Sequence, residues 1–283
     1  MEKLKSLVKQ WRLAPGIITE QDVLNRSREY LQILILKIIY QSKFGSYLSF
    51  MGGTCLRICY DLKRYSEDLD FSLDSKKKSY SFNSLISLLE KELTLQGLKV
   101  STSVSWEKRV QKAFLHFSNL PEDIGIKGYR KGQKLHIKIE VDTKPPPIKK
   151  EERESFFVNR FDEIYPILKH NLPTLFAGKI LAILYRPYAR GRDYYDLIWY
   201  LSRKTPLNLT YLNRAIKKGE FNNEAEVWET LQKKIETLDP HLITKDMAQF
   251  LEDPGETNWI SKYQALFRQL TNPTTSRLPI KKQ

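Results

Sequence analysis

A strand with two acidic residues on one face, placed shortly after a glycine pair, restricts the fold of this chain more than any other sequence feature. Every second residue from Leu69 to Leu73 is apolar, which is the two-residue period of a strand that buries one face. Asp68 and Asp70 therefore share the other face. Neighbouring carboxylates repel each other unless a positive charge lies between them, and a divalent metal ion commonly supplies it. The pattern predicts a metal-binding strand.

The glycine pair precedes this strand. Residues 47–50 are strand-like, Gly52-Gly53-Thr54 forms a turn, and a short amphipathic segment follows. Glycine has no Cβ, so the backbone can come close to a ligand there. The N-terminus of the next helix presents free N–H groups to anions. This order of elements is typical of a phosphate-binding site.

The string Gly-Gly-Thr-x-Leu-Arg, together with Arg64 and the run from Ser66 to Phe71, resembles the AbiEii/AbiGii (MenT-type) toxins of the nucleotidyltransferase superfamily. The resemblance implies an α+β fold, with a mixed β-sheet core and helices, followed by a mostly helical C-terminal domain. It implies transfer of a nucleoside monophosphate from an NTP to RNA, at the 3′ end of tRNA, which blocks aminoacylation and translation. Mg²⁺ or Mn²⁺ is the implied cofactor, and a cognate antitoxin is an implied partner.

The third acidic ligand of such an enzyme is expected on the alternating strand at 134–142. Its polar face offers both Glu140 and Asp142, and the residues alone do not choose between them. A Lys-Ile-Glu run in the family favours Glu140. The resemblance thus implies Asp68, Asp70 and Glu140 as the metal ligands, with Asp142 as the alternative.

The resemblance also implies where the nucleotide binds. Gly53 and Thr54 are expected to bind phosphate oxygens through a backbone N–H and the hydroxyl. Arg57 or Arg64 is expected to neutralise the remaining charge. Ser66 belongs to the same motif and is a predicted nucleotide contact.

A second group of candidate residues lies in the C-terminal half. Lys179 interrupts an apolar helical run at 173–186, while Asp193 and Asp196 are spaced to share one side of a helix. Taken singly, such a lysine is commonly a surface residue with an apolar stem, and Asp193 a charge that stabilises a helix N-terminus. Together the segments resemble the C-terminal motifs of the same toxins. The resemblance places Lys179 near the nucleotide phosphates, gives Asp193 a supporting role in the active site, and makes Asp196 a nucleotide contact.

The chain of 283 residues is long enough for two domains. Three prolines followed by charged residues form a stiff connector at 145–152. We therefore predict a catalytic domain at 1–150 and a helical domain at 151–283. No stretch is long and apolar enough to cross a membrane, so the sequence predicts a cytoplasmic protein without a membrane partner.

The formal net charge of +14 favours a polyanionic partner such as RNA. Two other classes of function remain open. One is a catalytically idle module that binds RNA or a partner protein. The other is a nucleotidyltransferase that modifies a protein or a small molecule.

Overall fold

The computed structural model describes residues 1–14, 19–74, 80–107, 109–128, 135–216 and 221–272. Close contacts divide the chain into two units, Met1–His170 and Asn171–Gln283. The first unit combines a sheet with helices, whereas helices form the regular structure described in the second. Both agree with the predicted α+β fold.

The first unit is built on a seven-stranded sheet. Its strands are β1 (Leu48–Met51), β2 (Asp68–Leu73), β3 (Val100–Glu107), β4 (Val110–Phe117), β5 (Leu135–Asp142), β6 (Arg153–Arg160) and β7 (Glu163–His170). Their order across the sheet is β3-β4-β5-β2-β1-β7-β6. β2 lies between β1, which is antiparallel to it, and β5, which is parallel to it. β1 is parallel to β7. The predicted mixed sheet is confirmed.

Five α-helices are described in this unit. They are α1 (Glu2–Leu13), α2 (Glu20–Gln41), α3 (Gly52–Tyr60), α4 (Phe82–Leu95) and α5 (Leu120–Asp123). Residues 33–36 of α2 are all buried, so this helix lies inside the unit rather than on its surface. α3 connects β1 to the segment that enters β2.

The two faces of the central strands differ in polarity. The apolar residues of β5 are each at most 1% exposed, and they are Leu135, Ile137, Ile139 and Val141. Leu69 and Phe71 of β2 are fully buried beside them. Asp68 and Asp70 are only partly buried. They lie on the face turned away from this core, as the alternation predicts.

The boundary between the units differs from the predicted one. The prediction placed it at residue 150 and made the remainder helical, whereas β6 and β7 continue the sheet to His170. A two-residue turn joins these strands, because Arg160 pairs with Glu163. Its residues Phe161 and Asp162 have φ of 54° and 60°. Such turns commonly contain Asn-Gly or Asp-Gly, so Phe-Asp gives no hairpin signal.

A buried polar cluster lies where β7 ends. The Nε2 atom of His170 lies 2.8 Å from the hydroxyl of Ser72, which donates to the carboxylate of Asp74 at 2.6 Å. Arg153 also donates to Asp74, at 3.3 Å. Burial lowers the pKa of His170 to about 4, against the opposing effect of the Asp74 and Glu152 carboxylates.

This low pKa makes stability depend on pH. The pKa of a histidine is about 6.5 in an unfolded chain. Below that pH the His170 side chain binds a proton in the unfolded state but stays neutral in the folded state. We expect His170 to lower the free energy of unfolding by about 2 kcal/mol between pH 7 and pH 5. Urea titrations of the wild type and of His170→Asn at both pH values measure it. An equal pH dependence in the two proteins contradicts the prediction.

The second unit has the mostly helical character that was predicted. Its described helices are α6 (Leu172–Tyr185), α7 (Gly191–Ser202), α8 (Leu209–Ala215), α9 (Glu224–Glu236), α10 (Pro240–Met247), α11 (Thr257–Ile260) and α12 (Tyr263–Thr271). Phe176 of α6 stacks on Tyr200 of α7 with ring centroids 4.4 Å apart. Tyr263 of α12 donates to the carbonyl of Tyr194 in α7 at 2.9 Å. α7 is thus the central helix of this packing.

None of the helices in the described ranges combines the length and the apolar character that crossing a membrane requires.

Candidate active site

β1 delivers the chain directly into the N-terminus of α3. Gly52, the first residue of α3, has φ of 80°, a conformation that favours glycine. A Cβ on Gly52 would lie 2.1 Å from Oδ2 of Asp70. The absence of a side chain at residue 52 therefore makes room for the Asp70 carboxylate at the start of the helix.

Gly53 has a similar role for two other predicted residues. A Cβ there would lie 2.6 Å from a terminal nitrogen of Arg64 and 3.1 Å from the hydroxyl oxygen of Ser66. Arg64 is 2% exposed and donates to the carbonyl of Tyr65 at 3.0 Å. The side chain of the N-cap residue, Met51, makes no capping hydrogen bond to α3, and the first N–H groups of a helix have no partner within it. Gly53, Arg64 and Ser66 thus combine helix N–H groups, a cation and a hydroxyl.

Thr54 and Arg57 have structural contacts instead. The hydroxyl of Thr54 is buried and donates to the carbonyl of Asp68, so it fixes the start of β2 rather than pointing outward to a phosphate. Arg57 donates to the carboxylate of Glu29 at 2.9 Å and to the carbonyl of Leu62 at 2.9 Å. These contacts engage the Thr54 hydroxyl and Arg57 within the protein, and the phosphate contacts predicted for both stay predictions. Of the two arginines left open by the sequence, Arg64 is the one beside the glycines.

Strand register separates the two candidates for the third carboxylate. Glu140 of β5 is the direct partner of Asp70 in β2, whereas Asp142 pairs with Ser72, two residues farther along. Asp142 lies 3.2 Å from a guanidinium nitrogen of Arg109 and also accepts from a backbone N–H. Residues in register on neighbouring strands project from the same face at about 5 Å. The register therefore favours Glu140 and gives Asp142 a different partner.

Lys138 lies among these carboxylates, and no sequence motif marks it as a functional residue. Its ammonium nitrogen is 3.0 Å from Asp68 and 3.2 Å from Glu140. Burial lowers the pKa of Lys138, but the Asp68 and Glu140 carboxylates outweigh that effect and raise the pKa overall. Lys112 of β4 lies 3.6 Å from Glu140 on the other side. The position of Lys138 on the polar face, two residues before Glu140, was the available signal.

The carboxylate oxygens suit Mg²⁺ or Mn²⁺ chemically, but the distances between the side chains do not suit a metal ion. In the part of the chain that the structure describes, no three His, Cys, Asp or Glu side chains are close enough together to hold a metal ion. The ammonium group of Lys138 lies between Asp68 and Glu140 and pairs with both. Carboxylate oxygens are nevertheless the ligands that these cations prefer. Asp68, Asp70 and Glu140 thus have the oxygen ligands that such an ion requires, and they project from the same face of the sheet.

The second group of predicted residues forms a cluster within the helical unit. The ammonium nitrogen of Lys179 lies 2.8 Å from Asp193 and 2.8 Å from Asp196. Arg186 also donates to Asp193. Asp193 and Asp196 thus share one side of α7, as predicted. The cluster contains two cations and two carboxylates, so it is electrically balanced, and it connects α6 to α7.

These contacts exclude the simple surface role considered for Lys179. We expect Lys179→Met to lower the free energy of unfolding by roughly 3 kcal/mol, because it removes the cation that pairs with the buried carboxylate of Asp196. Lys179→Arg keeps the charge and serves as the control. Urea unfolding measures stability, and NTP binding at a temperature where each variant is folded measures the predicted phosphate contact separately. An unchanged stability in Lys179→Met would refute the structural role.

Comparison with known proteins gives two kinds of match. A sequence model of the family described as "Nucleotidyl transferase AbiEii toxin, Type IV TA system" matches residues 34–277. JHP933 from Helicobacter pylori has a similar structure, with a TM-score of 0.51 at 16% identity, over 89% of this chain and 95% of that chain. An H. pylori protein described as a candidate nucleotidyltransferase gives 0.52 at 17%, over 89% and 96%. No curated protein sequence gives a significant match. At these identities the two structures show the fold alone.

Proposed function

The chain belongs to the AbiEii family of nucleotidyltransferase toxins of type IV toxin–antitoxin systems, and from this premise we propose that it transfers a nucleoside monophosphate from an NTP to RNA. We propose the 3′ end of tRNA as the acceptor. Extension of that end removes the terminus to which an amino acid is attached, so aminoacylation and translation stop. A cognate antitoxin is the partner that the family implies.

The observation that carries this proposal is the register of β1, β2 and β5. It brings Asp70 beside Glu140 on one side and beside the start of α3 on the other. Carboxylates next to an anion-binding helix N-terminus are what phosphoryl transfer requires, because positioning and charge stabilisation supply most of the catalysis. The net charge of +14 agrees with a nucleic-acid acceptor.

In the proposed reaction, the acceptor hydroxyl oxygen forms a bond to the α-phosphorus and the bond to the departing pyrophosphate breaks. The N–H groups at Gly53, with Arg64 and Ser66, hold the phosphates and stabilise the charge on pyrophosphate. The Glu140 carboxylate accepts the proton of the acceptor hydroxyl. Asp68, Asp70 and Glu140 would hold Mg²⁺ or Mn²⁺, which supplies Lewis-acid stabilisation of phosphate charge when bound.

The test is incubation of the protein with each labelled NTP and total RNA, followed by sequencing of the 3′ ends. We expect one or more NTPs to label tRNA 3′ ends, with pyrophosphate released in equal amount. Label in protein or in a small molecule instead would replace the RNA acceptor by one of those classes. Absence of incorporation under all conditions would indicate a module that only binds.

Growth gives a second readout of the proposed toxicity. Expression in a bacterium should arrest growth, and Asp70→Ala should relieve the arrest at an equal protein level. Full toxicity of Asp70→Ala would point to sequestration of a cellular component by binding.

A further inference from the structure

The sheet face that carries Asp68 and Asp70 also carries a group of rings. We call Phe114, His116 and His136 the aromatic patch. The ring of Phe114 is stacked beside that of His116, with centroids 6.0 Å apart and an interplanar angle of 16°. It meets His136 edge-on at 5.7 Å. His136 is exposed, and the other two rings are half-buried. The patch therefore presents ring surface to the solvent.

The hydrophobic core does not account for this patch. The intervening residues of β4 project from the other face, and Ala113, Leu115 and Phe117 are each at most 1% exposed there. Those residues supply the contribution of β4 to the core. Beyond Phe114, Ser103 of the edge strand β3 is exposed, and its hydroxyl lies 3.1 Å from the ring of His116. The surroundings of the patch are polar, as at a binding surface for an amphipathic ligand.

Strand register connects the patch to the candidate active site. Phe114 pairs with Lys138 across β4 and β5, and Lys138 pairs with Asp68 across β5 and β2. Phe114 thus lies two strand spacings from Asp68, or about 10 Å along the sheet. Lys112 pairs with Glu140, two residues away from the Phe114–Lys138 pair on the same strands. Cations therefore lie between the rings and the carboxylates.

The patch and the phosphate-binding residues lie on opposite sides of β2. Gly53 follows directly after the end of β1 and lies beside Arg64, whereas the patch lies on β4 and β5, on the other side of β2 in the strand order. In phosphoryl transfer the attacking and leaving oxygens are roughly in line across the phosphorus. If pyrophosphate leaves on the α3 side, the acceptor approaches from the side of the patch.

We propose that the aromatic patch stacks a base of the RNA acceptor strand, one or two nucleotides before the reacting 3′ end. This inference rests on the function proposed above. Phe114 supplies the main ring surface, and His136 supplies an exposed ring edge. Lys138 lies where the RNA backbone passes toward the carboxylates. Stacking on aromatic side chains tolerates any base, so the patch positions the acceptor without selecting its sequence.

The test measures binding of a short single-stranded RNA with a free 3′ hydroxyl, without NTP, by fluorescence anisotropy. We expect Phe114→Leu and His136→Ala to weaken binding, by roughly five- to a hundredfold for the loss of Phe114. Phe157→Leu is the matched control, because Phe157 is 66% exposed on β6 and lies outside the patch. In incorporation assays the KM for RNA should rise while the KM for NTP stays unchanged.

An abasic nucleotide identifies the stacked position. RNAs lacking one base at each of the last three positions are compared on wild type and Phe114→Leu. At the stacked position, the abasic RNA should bind wild type as weakly as Phe114→Leu binds intact RNA, and the two changes together should add little. Fully additive losses at every position would overturn the proposal, as would wild-type RNA binding by both patch variants.

Two other outcomes distinguish failure of the stacking proposal from failure of the proposed transfer reaction. A raised KM for NTP with unchanged RNA binding would assign the patch to the nucleotide base and overturn the acceptor role. If the wild type transfers no nucleotide to RNA, the proposed function fails. The anisotropy comparison then still decides whether the patch binds RNA.

Discussion

Asp70→Asn is expected to lower nucleotidyl transfer roughly a thousandfold or more, because several kcal/mol of transition-state stabilisation depend on its charge. Asparagine has nearly the same size, so it still fills the space beside Gly52 and beside Glu140. The melting temperature should therefore stay close to that of the wild type. Initial rates with saturating NTP and RNA, together with thermal unfolding, measure the two effects.

Asp142→Asn is the matched control for this experiment. Asp142 lies on the same sheet face, but it pairs with Ser72 in register and with Arg109 through its carboxylate. Since Arg109 is largely exposed, this ion pair contributes little to stability. We expect near-wild-type activity from Asp142→Asn. If instead Asp142→Asn is inactive and Glu140→Gln is active, the choice of third carboxylate is wrong.

Glu29→Gln is expected to destabilise the first unit by about 4 kcal/mol, because a buried carboxylate that pairs with two arginines is lost. Glu29 accepts from Arg57 at 2.9 Å and from Arg160 at 2.7 Å, and its side chain is 4% exposed. The uncharged amide removes the buried carboxylate that pairs with the guanidinium of Arg57. Urea or guanidinium unfolding at pH 7 measures the loss.

Glu163→Gln controls for the loss of a carboxylate as such. Glu163 also pairs with two cations, Lys3 at 2.8 Å and Lys37 at 2.7 Å, but both lysines are more than a third exposed. Water screens this pair, so we expect a loss below about 1 kcal/mol. Equal losses in Glu29→Gln and Glu163→Gln would show that burial does not set the cost. They would reopen the assignment of Arg57 as a structural residue.

The sequence was most informative where local periodicity and pairing agree. The alternation in β2 and β5 predicted both strands and the shared face of Asp68 and Asp70, since a two-residue period leaves no other arrangement with a buried side. The same period could not separate Glu140 from Asp142, because both lie on one face. Register favours Glu140, since it pairs Glu140 with Asp70, and register depends on pairing between segments far apart in the chain.

Partners that are distant in sequence also explain the remaining differences. Arg57 and Arg64 are equally plausible phosphate ligands until Glu29, 28 residues before Arg57, is seen to pair with Arg57. Likewise, no sequence pattern around Lys179 shows that Asp193 and Asp196 both contact it. Such contacts follow from how helices pack, which single-residue patterns do not encode.

The pairing of β1 on both sides has a consequence for biosynthesis. This short strand precedes the glycine turn, yet its neighbour β7 ends only at His170. β1 therefore leaves the ribosome long before β7 has been synthesised. Contacts between segments so far apart in sequence form slowly. A nascent chain stopped at residue 150 exposes an unpaired strand edge that can add to other chains. The first unit is therefore completed only late in translation, and we expect truncation before the β6–β7 hairpin to yield an aggregation-prone fragment.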